Sequence, residues 1–142
     1  MSKPFTQIQL TDAQWLEIEA ARPDSGSSGA VKGRAEALAR IHIFENYPGG
    51  EFVAPCNGAD MAVLYQGAKI NFEVKGTRSP GIDWQRLKVS SSHSCRLLMS
   101  GIPMLRISSV FSRIPLVYTL TYPQDFRLQE EPRWSVHPAS EA

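Results

Sequence analysis

The fold of this chain is decided by residues 58–77, which read GADMAVLYQGAKINFEVKGT. Two runs with strand-like alternation, residues 60–65 and 69–75, flank Gln66-Gly67, a pair that indicates a two-residue turn. Successive side chains of a strand point to opposite faces, so each run has one apolar and one more polar face. The segment therefore predicts an antiparallel hairpin whose apolar face packs on the core.

The polar face of this hairpin carries a charged group of residues. If Met61 lies opposite Phe72, then Asp60 lies opposite Glu73, and Lys75 follows on the same face. Two like charges at such positions destabilise a sheet unless something compensates them. A divalent cation would do so, because Mg²⁺ is held by one or two carboxylates together with water and phosphate oxygens. The set predicts metal-assisted hydrolysis of a phosphodiester, in which the lysine stabilises charge.

Further elements lie on both sides of the hairpin. Caps, breakers and apolar spacing predict helices at 11–21, 30–46 and 91–99 and strands at 51–54, 104–110 and 116–122. This order predicts an α/β fold with a central mixed sheet flanked by helices. We divide the chain into an N-terminal helix and flexible loop (1–29), a core domain (30–122) and an irregular C-terminal tail (123–142).

Composition excludes several classes of protein. Leu, Ile, Val and Phe make up 34 of 142 residues, or 24%, above the level of about 20% below which chains tend to be disordered. There is no membrane-spanning apolar run and no N-terminal signal-peptide pattern. Cys56 and Cys95 form no Cys-x-x-Cys pair, and no histidine has a zinc-ligand spacing. We therefore expect a cytoplasmic protein without zinc and without a membrane partner.

Residues 58–60 and 70–77 resemble the motif of the PD-(D/E)XK nuclease superfamily, whose fold is called restriction-endonuclease-like. Its signature is an Asp at the start of one strand and Glu-x-Lys at the end of the next, which Asp60, Glu73 and Lys75 match. The resemblance covers about residues 30–122 and implies a restriction-endonuclease-like core.

The resemblance also implies roles for residues around the motif. Glu36, on the helix predicted at 30–46, matches an acidic residue that the family often carries there. It would join Asp60, Glu73 and the Val74 carbonyl at a Mg²⁺ ion, for which Mn²⁺ would substitute. DNA is the implied partner, and a homodimer is compatible with the resemblance because small enzymes of this kind often dimerise to cut both strands.

Two departures from the family pattern limit the assignment. Ala59 stands where the motif that names the family has proline. The Gln-x-x-x-Tyr motif of the exonuclease branch is absent, since Gln85 is followed four residues later by Val89. The resemblance therefore favours an endonuclease over an exonuclease.

Charge is distributed unevenly along the chain. Residues 69–127 carry nine basic and three acidic side chains, although the whole chain has a net charge of +1. A basic segment in a near-neutral chain indicates a polyanionic partner, with an ordinary solvated surface as the alternative. The predicted phosphate contacts are Arg78, Arg86, Lys88, Ser92 and His93.

The sequence thus predicts a Mg²⁺-dependent DNA endonuclease with Asp60, Glu73, Lys75 and Glu36 as its catalytic residues. One alternative is a nuclease-like nucleic-acid-binding module or subunit whose catalysis is weak or depends on a partner. Another is an interaction protein in which Glu-x-Lys is incidental. Metal dependence and the effect of removing Lys75 discriminate among them.

Overall fold

The computed structural model describes residues 3–130 and 134–140. Its helices are α1 (Asp12–Ala21), α2 (Ser28–Asn46) and α3 (Ser92–Met99), with a short 3-10 turn at Trp84–Arg86. Its strands are β1 (Thr6–Gln7), β2 (Glu51–Val53), β3 (Met61–Tyr65), β4 (Ala68–Gly76), β5 (Lys88–Val89), β6 (Met104–Ser108), β7 (Leu116–Leu120), β8 (Phe126–Gln129) and β9 (Trp134–Pro138). The predicted α/β class and all three predicted helices are confirmed.

Six strands form the main sheet, in the order β1-β7-β6-β4-β3-β2. β4 and β6 run parallel, and the other neighbouring pairs are antiparallel. The predicted mixed sheet is therefore confirmed. The connection between the parallel strands contains β5 and α3, as expected because a parallel pair needs a long crossover.

The β3–β4 hairpin has the predicted register. Met61 pairs with Phe72, and Tyr65 pairs with Ala68. The turn residues Gln66 and Gly67 have φ angles of 51° and 80°, and positive φ at both positions is what a type I′ turn requires.

The two faces of the main sheet carry separate apolar clusters. Phe72 and Val74 of β4 pack with α1 and α2 in the first cluster. Met104 of β6 packs with α3 and the C-terminal strands in the second. At the end of β4, a Cβ atom added to Gly76 would lie 2.6 Å from the Cβ of Ala35. This position therefore requires glycine, and the close approach of α2 fixes the helix over the end of β4.

A fully buried arginine attaches α1 to α2. The Arg34 guanidinium donates hydrogen bonds to the Val110 and Arg22 carbonyls, both at 3.0 Å, and to the Glu19 carboxylate. It also lies 5.2 Å from the ring centroids of Trp15 and Phe111. These contacts satisfy the buried charge and fix α1 beside the core.

The prediction of an irregular tail after residue 122 is wrong. β8 and β9 form an antiparallel pair, and β9 also pairs with β5 to complete a three-stranded sheet. Phe126 and Val136 are fully buried in the second apolar cluster. The apolar side of this small sheet covers the main sheet, so the segment is part of the core. Pro138 is the last residue of β9 and does not interrupt it.

Within the described ranges, no helix combines the length and the apolar character needed to cross a membrane.

Candidate active site

The β3–β4 hairpin brings the predicted acidic pair together. Asp60 immediately precedes β3, and its backbone N–H donates to the Phe72 carbonyl at 2.9 Å. Its Oδ2 accepts a hydrogen bond from the Val74 N–H at 2.8 Å. These contacts tie Asp60 to both neighbours of Glu73, and the Asp60 carboxylate also shares a hydrogen bond with the Glu73 carboxyl.

Glu73 and Lys75 lie on the face of β4 that is turned towards α3. Phe72 and Val74, which alternate with them, belong to the cluster on the opposite face. The parallel ladder pairs Glu73 with Met104, which belongs to the α3-side cluster. The three residues of the predicted motif therefore meet at the carboxyl end of β4.

Burial gives the Glu73 carboxyl an unusual environment. The residue is 6% exposed, and desolvation, followed by the neighbouring Asp60 charge, raises its pKa to about 7. The Lys75 ammonium, with Nζ 3.7 Å from Glu73 Oε1, opposes this increase. One partly exposed lysine does not neutralise the pair, so the site favours a further cation or a proton.

This environment predicts a pH-dependent stability in the absence of metal. The folded pKa of Glu73, about 7, lies above its ordinary value of 4.5, so stability decreases as pH rises through this range and the loss is complete above it. Glu73→Gln removes the titration. In EDTA, we expect the variant to gain up to about 3 kcal/mol over the natural protein at pH 8, and much less at pH 5.

Urea unfolding at several pH values measures this difference. Glu51→Gln, an exposed position on the edge strand β2, is the matched control and should show no comparable gain. A Glu73→Gln advantage that does not change between pH 5 and pH 8 would contradict the assigned titration.

A cavity of about 430 Å³ opens beside the acidic pair, and Asp60, Val74 and Lys75 line it. Four further basic side chains, Lys32, Arg78, Arg86 and Arg106, also contribute to its wall. Hydroxyl groups of Ser28 and Ser90 belong to the same lining. A concave surface with this excess of positive charge favours an anionic ligand.

Glu36 occupies a different position from the other predicted acidic residues. It lines a second cavity, of about 340 Å³, which also borders Asp60. Among residues 3–130 and 134–140, no group of three or more His, Cys, Asp or Glu side chains is arranged to hold a metal ion. The structure thus brings Asp60 and Glu73 together without adding Glu36, whose role at a metal stays a prediction.

Of the two predicted phosphate contacts on α3, Ser92 and His93, the structure gives His93 a partner within the protein. Ser91 caps the helix by accepting from the Ser94 N–H. A His93 ring nitrogen contacts the Asn57 carbonyl, and the Ser94 hydroxyl donates to the Gly58 carbonyl at 2.8 Å. The first turn of α3 therefore holds the turn that leads into Asp60. Ser92 is exposed in this first turn.

The predicted basic contacts differ in how they are held. Arg78 forms a two-bond ion pair with Asp24. The Arg86 side chain is 79% exposed, and its Nε lies 4.0 Å from an Asp83 oxygen. Lys88 is half-buried in β5. Of these three, Arg78 and Arg86 line the cavity of Lys75.

Sequence reasoning missed how the loop after β4 is built. Thr77 and Ser79 donate hydroxyl hydrogen bonds to Asp83 at 3.1 and 3.0 Å. Arg106 is 2% exposed and donates to the Ile82, Gly76 and Asp83 carbonyls. Asp83 adopts a left-handed conformation with φ of 57°. A Thr-x-Ser…Asp pattern signals a loop, but only the fold shows that Arg106 fills its centre.

The Cys95 thiol lies near the site and is buried. Burial, together with the Glu73 charge, raises its pKa to about 11, so the thiol stays protonated at neutral pH.

Comparison with known proteins found no match to the chain among family models, curated proteins or solved structures.

Proposed function

We propose that this protein is a metal-dependent DNA endonuclease that hydrolyses phosphodiester bonds at the Asp60–Glu73–Lys75 site, on a core of the restriction-endonuclease-like kind. The observation that carries the proposal is a pair of adjacent carboxyl groups, one of them buried, beside a lysine at the edge of a basic cavity. Structural ion pairs seldom place two acids together in a buried position, because the like charges oppose each other.

The residues present fit a hard divalent cation. Asp60 keeps one carboxylate oxygen outside its hydrogen bond to Val74, and Glu73 supplies a second carboxylate. Mg²⁺ needs only one or two carboxylates, because water and substrate phosphate complete its octahedron. Asp60 and Glu73 would therefore hold the ion, with the Val74 carbonyl as the further ligand that the sequence motif implies. When bound, Mg²⁺ polarises the phosphoryl group and lowers the pKa of water.

The remaining groups of the site act on charge and position. Lys75 extends from the end of β4 into the cavity and would place its ammonium against a nonbridging phosphate oxygen, where negative charge develops during hydrolysis. The neighbouring basic side chains would bind phosphates on either side of the reacting one. Such contacts carry no base specificity but make binding strongly dependent on salt.

The direct test is incubation of the purified protein with supercoiled plasmid in Mg²⁺, Mn²⁺ or EDTA. We expect nicking with either metal and none with EDTA. Salt-sensitive DNA binding without cleavage in any metal would favour the nucleic-acid-binding module. A single-stranded oligonucleotide and an RNA of the same sequence, tested in parallel, define the preferred substrate.

Asp60→Asn tests the metal site separately from turnover. Asparagine can still accept from the Val74 N–H but has no charge, so Mg²⁺ affinity should fall by about tenfold or more. Isothermal titration calorimetry measures this affinity, and Asp12→Asn, on the first turn of α1, is the control. Equal Mg²⁺ affinity in Asp60→Asn and the natural protein would remove the acidic pair as the metal site.

A further inference from the structure

One of the arginines that line the basic cavity, Arg78, forms an ion pair with Asp24. Arg78 NH1 lies 2.6 Å from one oxygen of Asp24, and NH2 lies 2.7 Å from the other. This two-bond geometry is the one in which a guanidinium binds either a carboxylate or a phosphate. The proximity of Arg78 lowers the pKa of Asp24 to about 2, so the carboxylate is charged at neutral pH.

Arg78 is held in place independently of Asp24. Its guanidinium carbon lies 4.5 Å from the centroid of the Phe111 ring. On either side in sequence, the Thr77 N–H donates to the Ile107 carbonyl and the Ser79 carbonyl accepts from the Ser109 N–H. The guanidinium would therefore keep its position at the cavity if Asp24 moved away.

Asp24, in contrast, lies on an exposed connection. Residues 22–27 join α1 to α2, and every one of them is exposed. Besides its contact with Arg78, the Asp24 carboxylate accepts a hydrogen bond from the Gly26 N–H in its own turn, at 2.8 Å. Both side chains of the ion pair are 42% exposed, and ion pairs this open to solvent are weak. A phosphate could therefore compete for Arg78.

We propose that the Arg78 guanidinium is a phosphate-binding subsite of the cavity, and that the Asp24 carboxylate occupies this subsite in the free protein. The inference rests on the proposed function for the nature of its ligand, a phosphate of the nucleic-acid backbone next to the one that Lys75 contacts. Asp24 is then an internal competitor: binding of the nucleic-acid backbone releases residues 22–27 from Arg78.

If the Arg78–Asp24 ion pair only holds residues 22–27 against the loop after β4, the variants should respond differently. If the pair only holds the loop, its loss lowers stability and leaves affinity unchanged or weaker. If Asp24 competes with phosphate, its neutralisation increases affinity, and it does so only when Arg78 is present.

The experiment measures the affinity of a labelled oligonucleotide in EDTA over a range of salt concentrations. Asp24→Asn is expected to bind about three- to fivefold more tightly, the range that an exposed ion pair can contribute. Arg78→Gln should weaken binding and reduce the salt slope by about one. In the Arg78→Gln background, Asp24→Asn should change affinity only as much as the loss of any surface carboxylate does.

Asp12→Asn is the matched control for the change in net charge, because it also removes one carboxylate. Asp12 also forms a surface ion pair, with Arg113, and neither residue lines the cavity of Lys75. Equal effects of Asp12→Asn and Asp24→Asn would overturn the proposal, as would an Asp24→Asn effect that still exceeds the Asp12→Asn effect in the Arg78→Gln background. Thermal unfolding of each variant confirms that it is folded.

The outcomes separate this inference from the proposed function. Metal-dependent cleavage with no specific effect of Asp24→Asn would support the proposed endonuclease function and refute the phosphate subsite. Tighter binding that depends on Arg78, without cleavage by the natural protein in any metal, supports the subsite and removes the endonuclease. Absence of both binding and cleavage removes both.

Discussion

Replacing Lys75 with alanine is expected to lower the rate of metal-dependent cleavage by about 10²–10³-fold, the usual loss when one group that stabilises transition-state charge is removed. The ammonium lies at the edge of the cavity, 3.7 Å from Glu73 Oε1. Through this contact with Glu73, Lys75 is in direct contact with the acidic pair. In the proposed reaction, its loss would remove stabilisation at the reacting phosphate, and it also leaves Glu73 with less opposition to protonation.

Lys69→Ala is the matched control, because Lys69 is exposed on the same strand and pairs with Leu64 at the far end of the hairpin. We expect Lys69→Ala to cleave at the natural rate. Single-turnover cleavage with saturating enzyme measures the chemical step, and oligonucleotide affinity in EDTA shows that Lys75→Ala still binds. Undiminished cleavage by a folded Lys75→Ala protein would refute the assigned site.

The hairpin could be predicted because its information is local. Alternating apolar residues set the faces, and Gln66-Gly67 sets the loop length, so the register that brings Asp60 to Glu73 follows from twenty consecutive residues. The helices α1 and α3 follow from equally local signals, since Thr11 and Ser91, residue types that favour N-caps, cap them in the structure.

The three-stranded sheet could not be predicted in this way. β5 has two residues and β8 has four, too few for alternation to stand out from a loop. The pairing of β5 with β9 joins distant parts of the chain, since Lys88 pairs with Ser135 and Val89 with Trp134. What decides this sheet is the burial of residues such as Phe126 against the main sheet, a tertiary effect.

The basic segment shows a similar limit. The sequence shows that Arg78 and Arg106 are basic but not what each side chain contacts. From the sequence alone, both therefore contribute equally to a phosphate-binding surface. The fold separates them: Arg78 is exposed at an ion pair, whereas Arg106 is buried and bound to backbone carbonyls. Arg106 therefore organises the cavity wall through its backbone contacts.

This role predicts a large loss of stability when Arg106 is replaced. Its side chain donates to the carbonyls of Gly76, Ile82 and Asp83 at 2.9, 2.6 and 3.3 Å. Burial lowers its pKa to about 10, so it remains charged at neutral pH. Arg106→Ala would leave three carbonyls without this donor, each worth about 1–3 kcal/mol when buried, and we expect a loss of roughly 3–5 kcal/mol.

Urea unfolding measures this loss, and two further variants identify its cause. Arg106→Lys keeps the charge but cannot reproduce a planar group that reaches three carbonyls, so it should recover little of the lost stability. Arg86→Ala removes an exposed cation from the same cavity and should change stability by less than about 0.5 kcal/mol. Full recovery by Arg106→Lys would mean that charge, not the shape of the guanidinium, holds the loop. The cavity beside Lys75 would then depend on electrostatics alone, and its wall would weaken as salt concentration rises.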